Sequence, residues 1–383
     1  MQNIEVKTEH RVTEIDPKEK RVEVVNLSES QTQWVSYDKL IIATGARSRR
    51  LNIPGSNAKN IFTLKDLEDG IRIKNYVDEK KPKRVAVLGA GYISLEMCEA
   101  FQLRGLETFV FYRRELPAGN LEREISERIL KELQENGVHF LPSHEPVAFH
   151  LNGNGEVSSL ETTKGNYPID VVLMALGFIP NVELAKEAGV ELGKTGAIRT
   201  DTAQRTNLTD IYTAGDCCEV FNLVSQDWVY TPLGDIANKQ GRVAGDNAAG
   251  GKAVFLGVVG TSAFKVFELE VAFTGLGTQT AERYGFDVGS HVIEAESKVG
   301  YMPGAKRIVV KLIFERKNGR LLGAQMAGKE GVARRINALA VALHQKMTID
   351  EISRLDLAYA PPFSAPFDPI LIAAEQAAKK IQK

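Results

Sequence analysis

The sequence predicts an α/β protein that contains a Rossmann-like region and a separate C-terminal α+β domain. Strand, helix and strand alternate from Arg84 to Tyr112, and such alternation produces a parallel sheet. A glycine-rich loop, residues 89–94, connects the first of these strands to the helix. After Ala253 the pattern changes to strands followed by helices, which is typical of a separate α+β domain.

Length and composition indicate a multidomain globular protein. The 383 residues favour two to three domains. The 48 basic and 49 acidic residues leave a net charge of -1, which argues against a role on nucleic acid or membrane surfaces driven by bulk charge. No signal-peptide core and no membrane-length apolar run is present. Three cysteines are too few for a disulfide framework, so we expect a cytoplasmic protein.

The N-terminal region has the pattern of β-structure. Alternating Ile4, Val6 and Val12, followed by the apolar run at residues 21–25, predicts a β-hairpin. Residues 37–45 predict a buried strand that ends on a glycine turn.

Helices and strands then alternate along the chain. Apolar periodicity predicts the following elements, of which the third helix stops at Gly137: a charged helix over 64–77, a strand over 85–88, a helix over 92–103, a strand over 108–112, a helix with Ile125, Ile129, Leu130 and Leu133 on one face, a strand over 171–176, a strand over 309–314 and a helix over 332–344.

The loop between the strand at 85–88 and the following helix is the first candidate binding site. Its residues Gly89, Gly91, Tyr92, Ile93 and Ser94 are predicted to contact a dinucleotide. The motif alone is weak, but a predicted strand precedes it and a helix follows. The first glycine permits a tight turn, and the second lets the backbone approach a pyrophosphate at the helix N-terminus. The alternative is a plain strand-to-helix turn.

The end of the next strand indicates which nucleotide binds. A site for NAD usually places Asp or Glu there for the ribose hydroxyl, whereas this chain has Arg113 and Arg114. Two guanidinium groups favour the 2′-phosphate of NADPH over NADH. The alternative is that both arginines are solvated surface charges.

Further strand ends occur in a fixed order along the chain. Residues 211–214 form an apolar strand that ends in Gly215-Asp216, and Thr44-Gly45 and Gly177 end two other apolar runs. Together with the loop at 89–94, this order resembles the flavoprotein pyridine nucleotide-disulfide oxidoreductases over essentially the whole chain.

The resemblance implies a particular set of cofactors and contacts. The cofactors are FAD and NADPH or NADH. Asp216 would accept a hydrogen bond from a ribityl hydroxyl of FAD, and Gly215 would let the cofactor pass close to the backbone. The further residues implied to contact the cofactors are Thr44, Gly45, Gly177, Pro232 and Leu233.

The C-terminal region indicates a branch of this family. The segments at 301–304 and 357–364 resemble the branch of coenzyme A-disulfide reductases, NAD(P)H oxidases and NAD(P)H sulfur reductases. No His follows His344, which makes the glutathione-reductase-like branch a poor match. The resemblance implies a homodimer in which Tyr359 and Tyr301 reach the partner's flavin and thiol site. The alternative for each is an ordinary half-buried tyrosine.

Family members open with a strand–GxGxxG–helix unit for FAD and carry a redox cysteine there. Such a unit needs about 30 residues, and no such motif precedes Tyr37. The resemblance therefore implies an α/β fold with two Rossmann-like, three-layer domains, of which the FAD-binding one is incomplete, and a C-terminal α+β dimerisation domain. The predicted FAD-binding domain comprises residues 1–66 and 200–250, the NAD(P)-binding domain residues 67–199 and the dimerisation domain residues 254–383.

The three cysteines are weak candidates for a replacement of that redox thiol. Cys98 is predicted to be a small buried residue of a helix. Cys217 and Cys218 stand at a predicted helix start, where a thiol pKa can fall. A redox role is not favoured, since adjacent cysteines seldom form an unstrained bridge. No metal site is predicted.

The predicted function is FAD-dependent transfer of hydride from NAD(P)H to a low-molecular-weight disulfide such as coenzyme A disulfide. Reduction of sulfur or polysulfide, or oxidation of NAD(P)H, are alternatives, because one flavin-thiol site can serve all three. Phe367 lies where some coenzyme A-specific members carry a basic residue, which weakens coenzyme A as the sole substrate. An alternative of another class is a non-catalytic, NADPH-binding dimeric protein.

Overall fold

The computed structural model describes residues 4–381. The chain forms two compact units, and each contains two separate stretches of sequence. The first unit contains the chain up to Arg47 and Phe178–Val258, and the second contains Ser48–Gly177 and the chain from Val259 onward. No helix within residues 4–381 combines the length and the apolar character that a membrane crossing requires.

Strands and helices follow one another along both units. The strands are β1 (His10–Asp16), β2 (Arg21–Asn26), β3 (Gln31–Ser36), β4 (Leu40–Ile42), β5 (Ala46–Ser48), β6 (Ile61–Thr63), β7 (Arg84–Leu88), β8 (Glu107–Tyr112), β9 (His139–Pro142), β10 (Pro146–Leu151), β11 (Val157–Thr162), β12 (Gly165–Pro168), β13 (Val171–Met174), β14 (Phe178–Pro180), β15 (Ile211–Thr213), β16 (Val220–Asn222), β17 (Asp227–Val229), β18 (Ser262–Val266), β19 (Leu269–Gly275), β20 (Val288–Glu296), β21 (Arg307–Glu315) and β22 (Leu321–Gly328). The helices are α1 (Leu67–Lys80), α2 (Tyr92–Leu103), α3 (Arg123–Glu135), α4 (Glu183–Glu187), α5 (Gly234–Ala248), α6 (Thr278–Arg283), α7 (Val332–His344), α8 (Ile349–Ser353) and α9 (Pro369–Ile381).

The first unit combines small sheets with one long helix. β1, β2 and β3 form an antiparallel sheet, β4 pairs in parallel with β15, and α5 packs against that pair. The apolar side chains of Ile15, Val22, Ile42 and Ile211 lie in one common core. The core therefore joins the N-terminal strands to a strand about 170 residues later in the chain.

Two sequence-based expectations for the N-terminal region are wrong in detail. The hairpin begins at His10, and Ile4 and Val6 are exposed and lie outside any strand. The strand expected over residues 37–45 is only β4, because its partner β15 offers three residues for pairing. Ile41, in the middle of β4, is exposed.

The second unit contains a parallel sheet and an antiparallel sheet of five strands each. The parallel sheet has the order β6-β13-β7-β8-β9 and carries α2 and α3, while the antiparallel sheet has the order β18-β19-β22-β21-β20 and carries α7 and α9. The residues of β7 from Val85 to Leu88 are at most 1% exposed, since a central parallel strand is covered on both faces. The predicted α/β class and the α+β C-terminal part are confirmed.

Ion pairs connect α3 to the antiparallel sheet within the second unit. The ammonium of Lys311, on β21, lies 2.8 Å from a carboxylate oxygen of Glu122 and 2.8 Å from one of Glu124. Glu122 also accepts hydrogen bonds from the backbone and hydroxyl of Thr278. Because Lys311 and Glu122 are nearly buried, this cluster fixes the dinucleotide-loop half of the unit to its C-terminal half.

Candidate active site

The glycine-rich loop lies where β7 ends and α2 begins. Gly89 has a φ of +105°, and a Cβ added there would lie 2.5 Å from the carbonyl oxygen of Ala175. The N–H of Gly89 donates to Phe111, and the hydroxyl of the buried Ser94 donates to Ala175. The loop is therefore held against the carboxyl ends of β8 and β13, the edge at which α/β sheets bind ligands.

The N-terminus of α2 is open to a ligand. Gly91 caps this twelve-residue helix without a side-chain hydrogen bond. A Cβ added at Gly91, or at Gly177 with its φ of +91°, would meet nothing within 4 Å. Unpaired N–H groups and the helix dipole attract anions at such an end. These residues fit the pyrophosphate of a dinucleotide, with Tyr92 and Ile93 half-buried beside it.

The two arginines after β8 have different environments. Arg114 donates a hydrogen bond to the carbonyl of Gly119 and lines a cavity of about 900 Å³ with Arg123, Arg283 and Lys311. Arg113 is exposed and has no hydrogen bond or ion pair within residues 4–381. Only Arg113 therefore keeps its whole guanidinium for a ligand.

A second set of strand ends lies in the first unit. Asn181 connects two of them: its side chain donates to the carbonyl of Thr44, and its N–H donates to Gly45. The hydroxyl of Thr44 donates to the carbonyl of Asn181 at 2.6 Å. At the end of β15, Gly215 has a φ of +86° and donates its N–H to Gln240. The backbone at both strand ends is thus fixed by amide side chains.

α5, which carries Gln240, begins with an open N-terminus. Leu233 caps the fifteen-residue helix without a side-chain hydrogen bond, and Gly234 has open space around it. Pro232 and Leu233 are half-buried, as is Asp216, whose carbonyl accepts a hydrogen bond from Tyr230. A carboxylate acceptor, flexible glycines and an uncapped helix end fit the hydroxyl and phosphate groups of FAD.

Comparisons with known proteins identify the family. A sequence model described as pyridine nucleotide-disulphide oxidoreductase matches residues 1–233, and the dimerisation domain of that family matches residues 261–368. The chain belongs to the pyridine nucleotide-disulphide oxidoreductase family.

Relatives in this family include several named oxidoreductases. A NADH oxidase of Methanocaldococcus jannaschii is 34% identical over 99% of this chain and 84% of its own length. A CoA-dependent NAD(P)H sulfur oxidoreductase of Pyrococcus furiosus is 36% identical over 91% of this chain and 78% of its own.

Solved structures of the family have the same fold. An NAD-dependent persulfide reductase from A. fulgidus is 38% identical, with a TM-score of 0.96 over 99% of this chain and 70% of that one. The Bacillus anthracis CoADR-RHD protein is 32% identical, with a TM-score of 0.93 over 97% of this chain and 67% of that one. The family is FAD-dependent and uses NAD(P)H, which confirms the predicted oxidoreductase class and its cofactors.

The thiols of this family member are all buried. Burial raises the pKa of Cys98 to about 12. The hydrogen bond from Cys218 is the largest cause that lowers the pKa of Cys217, and the same bond, with burial, raises the pKa of Cys218. The expected helix start at this pair is wrong: Cys218 donates its N–H to Gly215 in a turn that leads into β16. The lowered pKa of Cys217 therefore has a local cause other than a helix dipole.

We expect no fast-reacting thiol in the native protein. Cys98, Cys217 and Cys218 are at most 4% exposed, so a water-soluble disulfide reagent should react only as fast as the chain opens. The release of the reagent's chromophore should show no rapid phase in native protein and all three thiols in denaturant. Cys98→Ser is the control, because it should remove one thiol from the denatured count alone. A rapid native phase would contradict this expectation.

The two candidate catalytic tyrosines lie in irregular segments of the second unit. Tyr301 is 78% exposed and Tyr359 is 51% exposed. Phe363 and Phe367, in the second of these segments, are also exposed. Four exposed aromatic side chains in a dimerisation domain are typical of an interface core.

Sequence reasoning missed the amide side chains that fix the strand ends. Asn181 lies 137 positions after Thr44 in the chain, and Gln240 lies within α5. Neither residue belongs to a motif. The position of Asn181, directly after β14, is the feature of the sequence that could have indicated its role. A polar residue directly after a short apolar strand is a candidate for such a bond.

Proposed function

We propose that the protein uses NADPH to reduce a low-molecular-weight disulfide or persulfide, with coenzyme A disulfide as the test substrate. The observation that carries this proposal is the pair of uncapped, glycine-lined helix N-termini, one at α2 and one at α5. Each has the donor groups for one dinucleotide. The site residues named above, from Gly89 to Ser94 and around Asp216, remain proposals.

The reaction balances as NADPH + RSSR + H⁺ giving NADP⁺ + 2 RSH. Bound FAD supplies a hydride acceptor that can pass an electron pair onward. The chain's own residues bind and orient: α2 holds the pyrophosphate of NADPH, and Asp216 holds a hydroxyl of the flavin chain. In this proposal Tyr359 donates a hydrogen bond to the developing thiolate, and Tyr301 supports it.

NADPH is preferred in this proposal because of Arg113. The A. fulgidus relative is named NAD-dependent. An engineered Lactobacillus brevis oxidase bound to NADPH, 26% identical with a TM-score of 0.91, carries an Asp-to-Ala and an Ala-to-Arg substitution among its changes. In that protein, NADPH binding thus accompanies the loss of a negative charge and the gain of a positive one. At positions 113 and 114 this chain likewise has arginines and no carboxylate.

The relatives support a sulfur substrate in different forms. They include a coenzyme A disulfide reductase of Staphylococcus haemolyticus and a polysulfide/persulfide reductase of Pyrococcus horikoshii. Oxidation of NADPH by O₂ is the second candidate, because none of the three thiols is accessible for attack on a disulfide. In both cases we propose a homodimer formed through residues 261–368.

Visible absorption spectroscopy tests the proposal. The protein is incubated with FAD, desalted, and treated with NADPH without oxygen. We expect a retained flavin band that bleaches with NADPH and returns on addition of coenzyme A disulfide. Return of the band with O₂ only would favour the oxidase function. A colourless protein that still binds NADPH would contradict both and support the non-catalytic alternative.

A further inference from the structure

Arg335, in the first turn of α7, is an arginine whose side chain is only 11% exposed. One guanidinium nitrogen, Nε, donates to a carboxylate oxygen of Asp368 at 2.8 Å. Another, Nη2, donates to the carbonyl of Ser297 at 2.7 Å and to that of Phe363 at 3.3 Å. One planar group therefore joins α7 to two other segments.

The two segments that Arg335 joins are those that carry the candidate catalytic tyrosines. Ser297 begins the irregular stretch at 297–306 that contains Tyr301, and Phe363 and Asp368 belong to the stretch at 354–368 that contains Tyr359. Within residues 4–381, neither stretch includes a helix or strand. Regular backbone hydrogen bonds therefore do not fix the position of either tyrosine.

Asp368, the carboxylate partner of Arg335, accepts further hydrogen bonds within the protein. Asp368, with a side chain 10% exposed, also accepts hydrogen bonds from the hydroxyl of Ser364 at 3.0 Å and from the N–H of Ile370 at 2.9 Å. Its second role is to start α9, which begins at Pro369. The segment with Tyr359 is thus attached both to α9 and to Arg335.

Ser297, whose carbonyl accepts from Arg335, also makes hydrogen bonds through its hydroxyl. The hydroxyl of Ser297 donates to Glu330 at 2.9 Å and accepts from the N–H of Lys306 at 3.0 Å. The second bond closes the base of the 297–306 stretch. Glu330 lies next to Gly331, the N-cap of α7. The bond from Ser297 to Glu330 therefore attaches the 297–306 stretch to the start of α7 a second time, beside Arg335.

Burial of an ion pair seldom adds much net stability, and its better-attested use is to specify one arrangement. We propose that Arg335 is a positioning residue that sets Tyr301 and Tyr359 relative to each other for the reduction of the disulfide. This inference rests on the proposed function of the two tyrosines. A planar fork can hold two carbonyls and a carboxylate together, whereas a lysine ammonium is a single point charge.

Hydrogen–deuterium exchange of the full-length, FAD-loaded protein tests the positioning directly. In Arg335→Met we expect both stretches, 297–306 and 354–368, to exchange about tenfold faster or more. In Arg335→Lys we expect the lysine to pair with Asp368, so that the amides of 354–368 again exchange slowly. The amides of 297–306 should still exchange fast, because a single ammonium does not replace the planar fork. Arg334→Met, at the exposed neighbouring position, is the matched control and should change neither stretch. Acceleration of one stretch or of neither in Arg335→Met would overturn the proposal.

Separate measurement of the two half-reactions tests the functional part. We expect Arg335→Met to leave the rate of flavin reduction by NADPH unchanged and to slow reoxidation by coenzyme A disulfide about tenfold or more. A general loss of structure would slow both half-reactions and would count against the proposal. If Arg335→Met does not fold, Asp368→Asn, which keeps the shape of the side chain, carries the same two expectations.

Tyr359→Phe separates this inference from the proposed function. If Tyr359→Phe slows reoxidation and Arg335→Met does not, the positioning role alone is wrong. If neither variant slows reoxidation although both stretches loosen, the proposed role of the tyrosines is wrong, and the positioning role falls with it.

Discussion

Replacement of Arg113 by alanine is expected to weaken NADPH binding about 10- to 100-fold, since a hydrogen bond to a charged group contributes about 1.5–3 kcal/mol. The affinity for NADH should change little, because NADH lacks the 2′-phosphate that this guanidinium would contact. The physical basis is that Arg113 has no hydrogen bond or ion pair in the described part of the chain. Fluorescence titration of the variant with both nucleotides measures the two dissociation constants.

Arg114→Ala is the matched control for this experiment. Arg114 already donates to the carbonyl of Gly119, so we expect a smaller loss for NADPH than in Arg113→Ala. Equal losses for NADPH and NADH in Arg113→Ala would show that Arg113 does not read the 2′-phosphate. A larger loss in Arg114→Ala would assign that role to Arg114 and to the cavity that it lines.

Lys311→Met is expected to lower the free energy of unfolding by about 3–5 kcal/mol, the cost of breaking a buried ion pair from one side. The variant leaves the carboxylate of Glu122, 13% exposed, without its cation. Burial alone would lower the pKa of Lys311, but the hydrogen bonds and charges of Glu122 and Glu124 outweigh it and raise that pKa. Urea unfolding, followed by circular dichroism, measures the change.

The exposed pair between Lys265 and Glu99 provides the control. Lys265→Met should cost about 0–1 kcal/mol, because solvent screens such a pair. A loss in Lys311→Met as small as that of the control would mean that water reaches the cluster. The triple variant that also changes Glu122 and Glu124 to Gln should recover part of the stability, since no buried charge is then left alone.

The same cluster makes stability depend on pH in a known direction. Burial alone would raise the pKa of Glu124, but the hydrogen bond and charge of Lys311 lower it below 4.5. A depressed pKa stabilises the fold above the unfolded value, and this contribution is lost as the pH falls through the folded pKa. For Lys311, with a raised pKa, the contribution is present below 10.5 and is lost as the pH rises through the folded value.

Local patterns predicted the elements of the second unit well. The bounds of α2 and α7 agree with the apolar periodicity, and the glycine turn at Gly89 was evident because a strand precedes it and a helix follows. Such features depend on residues within one or two turns of each other. The same locality explains why the dinucleotide loop was found from the sequence.

Contacts between distant residues were not predictable in this way. The bond from Arg335 to Asp368 and that from Asn181 to Thr44 join residues 33 and 137 positions apart. The adjacent residues Arg113 and Arg114 look equivalent in the sequence. They differ only in the fold, where the following loop brings the carbonyl of Gly119 to Arg114. Ile41 is exposed whereas Ile42, the next residue of β4, is buried, and the apolar run alone does not show which face of the strand other parts of the chain cover.

The discontinuous make-up of the first unit has a consequence for protein synthesis. β1 to β3 can pair as soon as they leave the ribosome. β4 cannot pair until β15, which lies 171 residues later in the chain, has been synthesised. At usual elongation rates of about 5–20 residues per second, that wait lasts on the order of 10–30 s. During this interval Ile41 and Ile42 belong to a nascent chain without their partner strand. The first unit therefore cannot complete the β4–β15 pair, or the core around Ile42 and Ile211, until the chain has been synthesised as far as β15.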